Sequence, residues 1–90
     1  MVDINAGRQV RYHRDASHTL KRIDRRTARR IRDKIARLAV DPNAFANNVS
    51  ALKGVTGLMR LRIGGWRVIY SVDLNALLVL KVAPRGSAYD

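Results

Sequence analysis

The chain has no cysteine and no glutamate, and few acids of any kind. Without cysteine there can be no disulfide and no thiolate-bound zinc site, which suits a reducing compartment. Long apolar runs are also missing. Nothing approaches the roughly 20 residues needed to span a bilayer. Met1 to Val10 has no apolar stretch of the kind a secretory signal requires, so a cytoplasmic protein is expected. The chain shows no repeat, low-complexity tract or linker. Its 90 residues are expected to form one domain spanning 1–90.

The scarcity of acid sets the charge. Seven aspartates face 18 Lys+Arg, for a net charge of +11. Fourteen of those cations are arginine, which favours planar, bidentate recognition of phosphate over simple point charge. A balance this far from neutral opposes the compact state and calls for an anionic partner: nucleic acid, an acidic protein or a membrane surface. With 47% hydrophobic residues the chain still has enough material for one small core.

Periodicity separates the elements. Gln9 to His13 is a short strand candidate, and Asp15 a plausible N-cap for a helix with Ala16, Leu20 and Ile23 on one side. Asp24 can cap a second helix, in which Ala28, Ile31, Ile35, Leu38 and Ala39 form one apolar stripe. The other side of that helix is basic and includes Arg29 and Arg30. Asp41-Pro42 ends it. Asn43 to Thr56 reads as a polar loop. The period then becomes two, with Leu58–Ile63 and Trp66–Asp73 flanking Gly64-Gly65, a strong hairpin signal. After a turn at Leu74-Asn75, Ala76–Ala83 reads as an interior strand. The order βααβββ predicts an α+β domain, a helix hairpin packed on a mainly antiparallel four-stranded sheet.

The hairpin fixes a register. If Ile63 faces Trp66, Arg62 faces Arg67, and Leu61 faces Val68. Leu61, Ile63, Trp66, Val68 and Tyr70 then share the core side, while Arg60, Arg62, Arg67, Ile69 and Ser71 share the other. Directly opposed like charges destabilise a sheet. Three guanidiniums on one face, with no acid on either strand before Asp73, therefore predict a phosphate site. A plain solvated basic surface is the alternative. His13 and His18 read as exposed histidines, and no metal or other cofactor is expected.

Leu52-Lys53-Gly54, Met59-Arg60-Leu61-Arg62-Ile63-Gly64, Trp66-Arg67-Val68-Ile69-Tyr70 and the closing Val82-Ala83-Pro84-Arg85-Gly86-Ser87-Ala88-Tyr89 together resemble the RelE/ParE toxin superfamily of type II toxin-antitoxin systems. The resemblance covers nearly the whole chain and implies a RelE-like, microbial-ribonuclease-like fold. In the RelE branch it implies a ribosome-dependent endoribonuclease that cuts mRNA, arrests translation and is held inactive by a cognate antitoxin, expected to be acidic. Carried over, the catalytic group is Arg60, Arg62, Arg67, Arg85 and Tyr89. Lys53, Arg60, Arg62, Arg29 and Arg30 are the expected RNA-binding residues. Cleavage without metal requires the 2′-hydroxyl to attack the neighbouring phosphorus, and fixed guanidiniums stabilise the charge that develops. Arginine does not surrender its proton, so a base must come from Tyr89 or from the ribosome. Two alternatives stand beside this reading: a ParE-type poison of DNA gyrase, and a non-enzymatic RNA- or DNA-binding module. The latter predicts stacking aromatics on the open face, and the hairpin has none there.

Overall fold

The computed structural model describes residues 7–86; Tyr89 lies outside them. In chain order the elements are β1 (Gln9–Tyr12), α1 (Arg14–Arg22), α2 (Arg25–Val40), a 3-10 turn (Ala46–Asn48), β2 (Val49–Ala51), β3 (Met59–Ile63), β4 (Trp66–Val72) and β5 (Ala76–Pro84). The sheet has five strands, not the four expected, in the order β1-β5-β4-β3-β2. The extra strand is β2, inside the stretch read as loop. Three residues are too few for an alternation signal, and pairing with β3 (Val49 with Leu61, Ser50 with Arg60) specifies it instead. β1 runs parallel to β5, and every other pair is antiparallel.

Both helices lie on one side of the sheet, and their apolar stripes are the expected ones. Ala16 and Leu20 of α1 and Ala28, Ile31, Ile35, Leu38 and Ala39 of α2 are buried. They pack with Leu61, Ile63, Val68, Tyr70, Leu77, Val79 and Val82 of the sheet into one core, with Trp66 partly buried at its border. Burying a side chain of the Ile, Leu or Val type contributes about 1.5–3 kcal/mol. This core therefore offsets both chain entropy and the repulsion of a +11 surface.

The helix ends show how local chemistry sets boundaries. Asp24 caps α2 as expected, its carboxylate accepting from the Thr27 N–H and hydroxyl, each at 3.0 Å. For α1 the cap is His13, not Asp15. His13 is extended (φ −63°, ψ 151°) and its Nδ1 accepts from the Asp15 N–H at 3.1 Å, which places Asp15 inside the first turn. At the far end of α2 the Arg8 N–H donates to the Ala39 carbonyl at 3.1 Å. Gly7 makes that approach possible: its φ is +85°, and a Cβ there would lie 2.8 Å from the Val40 Cα. Among the described residues, no helix is long and apolar enough to cross a membrane.

Candidate functional site

The face of the sheet turned away from the helices is built by the β3–β4 hairpin. Its register is Arg60 with Ile69, Leu61 with Val68, Arg62 with Arg67 and Ile63 with Trp66, as the Gly64-Gly65 turn predicts. Gly64 takes φ +56° while Gly65 does not take positive φ, the pattern of a II′ turn, in which only the first central residue needs glycine. Alternation then puts Arg60, Arg62 and Arg67 together on the open side.

The three guanidiniums are not equivalent. Arg67 is 9% exposed, and it is the buried charge among the described residues. Its Nη1 donates to the carbonyls of Gly64 at 3.1 Å and Trp66 at 3.0 Å, so the hairpin's own main chain holds it in place. Arg60 is half-buried and its Nη2 reaches the Ser50 hydroxyl on β2 at 3.4 Å. Arg62 is exposed. The group is thus graded from a fixed, buried cation beside the hairpin turn to an exposed one directly across from it. Such preorganised donors are what a phosphate site requires.

β5 adds a cation that the sequence pattern hides. Its pairing with β4 passes from Ile69–Lys81 to Tyr70–Val79, so Leu80 is an extra, bulged residue. The bulge resets the alternation. Val82 returns to the core, and Lys81 and Ala83 turn to the arginine face, beside Ile69 and Arg67 respectively. Ile69 and Ala83 are buried yet lie outside the main core, forming a small apolar floor between the cations. Just past β5 the Arg85 N–H donates to the Gly65 carbonyl at 2.7 Å, which anchors Arg85 at the hairpin tip.

Arg60, Arg62 and Arg67 line one side of an open cleft of about 240 Å³; Asn47, Asn48, Val49 and Ser50 line the rest, with Ser50 directly beside Arg60. No carboxylate occurs on β3, β4 or β5. Among the described residues no three His, Asp or Glu side chains converge so as to hold a metal ion.

Residues 10–89 match the family described as the ParE toxin of type II toxin-antitoxin system, parDE. The chain belongs to this family. A chain of the archaeal RelE–RelB complex from Pyrococcus horikoshii OT3 is 30% identical to the toxin, with a TM-score of 0.76 over 92% of this chain and 100% of that one. A chain of the intact E. coli RelBE toxin-antitoxin complex is 15% identical (TM-score 0.71; 89% and 98% covered). The YoeB/ParE toxin from Agrobacterium tumefaciens is 21% identical (TM-score 0.70; 86% and 98% covered). The last two show the shared fold. No curated protein matches the sequence. The RelE/ParE superfamily suggested by the motifs is thereby established.

The structure brings together Arg60, Arg62 and Arg67 in the cleft and sets Arg85 at the adjoining tip. The other positions expected to bind RNA are spread more widely. Arg30 reaches the hairpin, where a methyl on Gly64 would lie 3.8 Å from its Nη1. Arg29 points elsewhere, into a second basic cleft at the start of α2 with Asp24, Arg25 and Arg26. Lys53 is exposed beyond β2 and does not line the cleft. Two other cations are used in packing: Arg32 lies over the Tyr12 ring at 5.2 Å and Lys34 over the Phe45 ring at 4.7 Å. Burial raises the Tyr12 hydroxyl above its ordinary pKa, and Arg32 opposes part of that rise. Burial alone raises Tyr70. Sequence reasoning missed Lys81, Asn47, Asn48 and Ser50. For Lys81 the available signal was a lone cation in an otherwise apolar strand.

Proposed function

We propose that this toxin is an endoribonuclease that acts on ribosome-bound mRNA, with the arginine face as its active surface. The observation that carries this reading is the concentration of Arg60, Arg62, Arg67 and Lys81 on three adjacent strands that hold no acid. A sheet accepts that repulsion where a polyanion offsets it.

In this mechanism the 2′-oxygen forms a bond to the adjacent phosphorus and the bond from phosphorus to the 5′-oxygen breaks. The products are a cyclic phosphate and a 5′-hydroxyl. Arg67, held by the turn carbonyls, and Arg85 at the tip meet the charge building on the non-bridging oxygens. Arg60, Arg62 and Lys81 position the backbone on either side. The proton leaving the 2′-hydroxyl goes to Tyr89 in its phenolate form or to a ribosomal group, since no guanidinium can accept it, and the departing 5′-oxygen takes its proton from water or from the ribosome. Tyr89 also has the ring to stack on an unpaired base. Basic residues away from the cleft, Lys53, Arg29 and Arg30 among them, add sequence-independent affinity for RNA phosphates. An acidic antitoxin is the expected protein partner, in keeping with the RelB complexes among the structural relatives.

The matched family itself favours a second reading, a ParE-type poison of DNA gyrase. A pulse of induced expression separates the two. Primer extension across induced messages is expected to show rapid cuts within translated codons for wild type, lost in Arg85→Ala. Growth arrest with intact messages, together with inhibited supercoiling by purified gyrase, would transfer the assignment to the second reading.

A further inference from the structure

The cleft has two unlike walls. One is cationic. The other is amide and hydroxyl: Asn47, Asn48 and Ser50. A cation wall holds phosphate and is blind to sequence, because every nucleotide presents the same phosphate. A carboxamide is not blind. It sets a donor beside an acceptor in one plane, and so matches an edge that offers an acceptor beside a donor. Adenine has such an edge in N7 and its N6 amino group, whereas guanine presents two acceptors there, N7 and O6.

The amide wall is also held in place. The Asn48 N–H donates to the Phe45 carbonyl at 2.8 Å and the Ala46 N–H to the Asn43 carbonyl at 3.3 Å. The Phe45 ring packs on the core under Lys34, and the following residues pair with β3. Both asparagines are nevertheless exposed, and neither carboxamide hydrogen-bonds within the described residues. Polar groups presented by a pinned backbone on the side of a phosphate cleft suit recognition of a ligand. At about 240 Å³ the cleft is smaller than the roughly 300–1,000 Å³ of pockets for drug-sized ligands, and it suits one nucleotide.

We propose that Asn47 and Asn48 read the base beside the phosphate held by Arg60, Arg62 and Arg67, and that they favour adenine over guanine at that position. The inference rests on the RNA-cleavage reading above and assigns its sequence preference to a part of the chain outside the arginine cluster.

The test uses ribosomes programmed with messages that differ only by A or G at the cut position. Wild-type toxin is compared with Asn47→Ala/Asn48→Ala, and with Asn43→Ala as a control in the same loop. One well-formed bidentate contact discriminates by about five- to 150-fold. The wild-type A:G ratio is expected in that range, unchanged in the control and collapsing toward one in the double variant. A double variant that keeps the wild-type ratio, or a wild type without preference, overturns the proposal. If wild type cuts no message at all, the cleavage reading fails, and base reading is judged by fluorescence anisotropy. Uridine pentamers with a central A or G are the probes. Discrimination lost in the double variant sustains the asparagine wall, and equal affinities for wild type remove it.

Discussion

Arg62→Gln is expected to make the protein more stable and less able to bind RNA. Arg62 and Arg67 oppose each other directly across the hairpin. Arg67 cannot move away, because two main-chain carbonyls hold its guanidinium. Arg62 is exposed and makes no hydrogen bond or ion pair with another described residue, so glutamine removes a charge without stranding a partner. Directly opposed side chains interact by about 0.2–1 kcal/mol, unfavourably for like charges. In a domain of this size 1 kcal/mol moves Tm by about 4–8 °C. The variant's Tm should therefore rise by about 1–8 °C at low salt.

Ionic strength isolates the cause. The screening length falls from about 10 Å at 0.1 M to about 3 Å at 1 M. Melts followed by circular dichroism should thus show the gain at 50 mM NaCl and little of it at 1 M. In parallel, anisotropy with a single-stranded RNA should show weaker binding, with the slope of log K against log salt reduced by about 0.7 for the lost phosphate contact. A Tm that falls, or that rises equally at both salts, refutes the reasoning. Arg62 would then be an ordinary solvated side chain, and the claim that the face needs a polyanion would lose its thermodynamic basis.

Lys81→Ala should weaken RNA binding evenly across sequences and lower the same salt slope by about 0.7, whereas Lys21→Ala on α1 should leave the slope unchanged; anisotropy titrations decide. Asp24→Ala removes the acceptor for the Thr27 N–H and hydroxyl and should cost about 1 kcal/mol, read as a Tm lower by about 4–8 °C. Asp73 accepts N–H donors from Asn75 and Ala76, at 2.7 and 2.8 Å, which hold its carboxyl below the ordinary value. Its contribution is fully present above the ordinary carboxylate range and is lost as pH falls through the lowered value. Thermal melts across the acid range should therefore fall less steeply for Asp73→Ala than for wild type.

Most of what depends on local chemistry was legible in the sequence. The hairpin register follows from two glycines and a period of two, and the α2 stripe and its Asp24 cap follow from spacing. The capping of α1 was misread because aspartate is the stronger N-cap by preference. The chain nevertheless enters the helix at Arg14, one residue too early for Asp15 to serve, and His13 offers a ring nitrogen at the right place. Parallel pairing of β1 with β5 joins the two ends of the chain, and no local pattern records it. β2 exists through its partner. The amide wall of the cleft was hidden with it, since Asn47 and Asn48 gain meaning only when β2 docks beside Arg60.

Lys81 shows how the core and the site constrain each other. Alternation carried on from Leu77 and Val79 would place Lys81 on the core side, beneath the helices. An ammonium buried there without a partner costs several kcal/mol, and Val82 would at the same time be turned out of the core. One extra residue at Leu80 removes both penalties. The lysine thus helps to specify the bulge, and the bulge delivers the lysine to the arginine face. Deleting Leu80 tests the coupling: Lys81 then follows Val79 directly, so unbroken alternation keeps Val79 and Val82 in the core, Lys81 on the arginine face, and the pairings Tyr70–Val79 and Ile69–Lys81 as they are. The deletion should therefore leave Tm and RNA affinity close to wild type. If it instead lowers Tm steeply, the strand needs more from Leu80 than the reset of its alternation, and the place of Lys81 beside the arginines must have another cause.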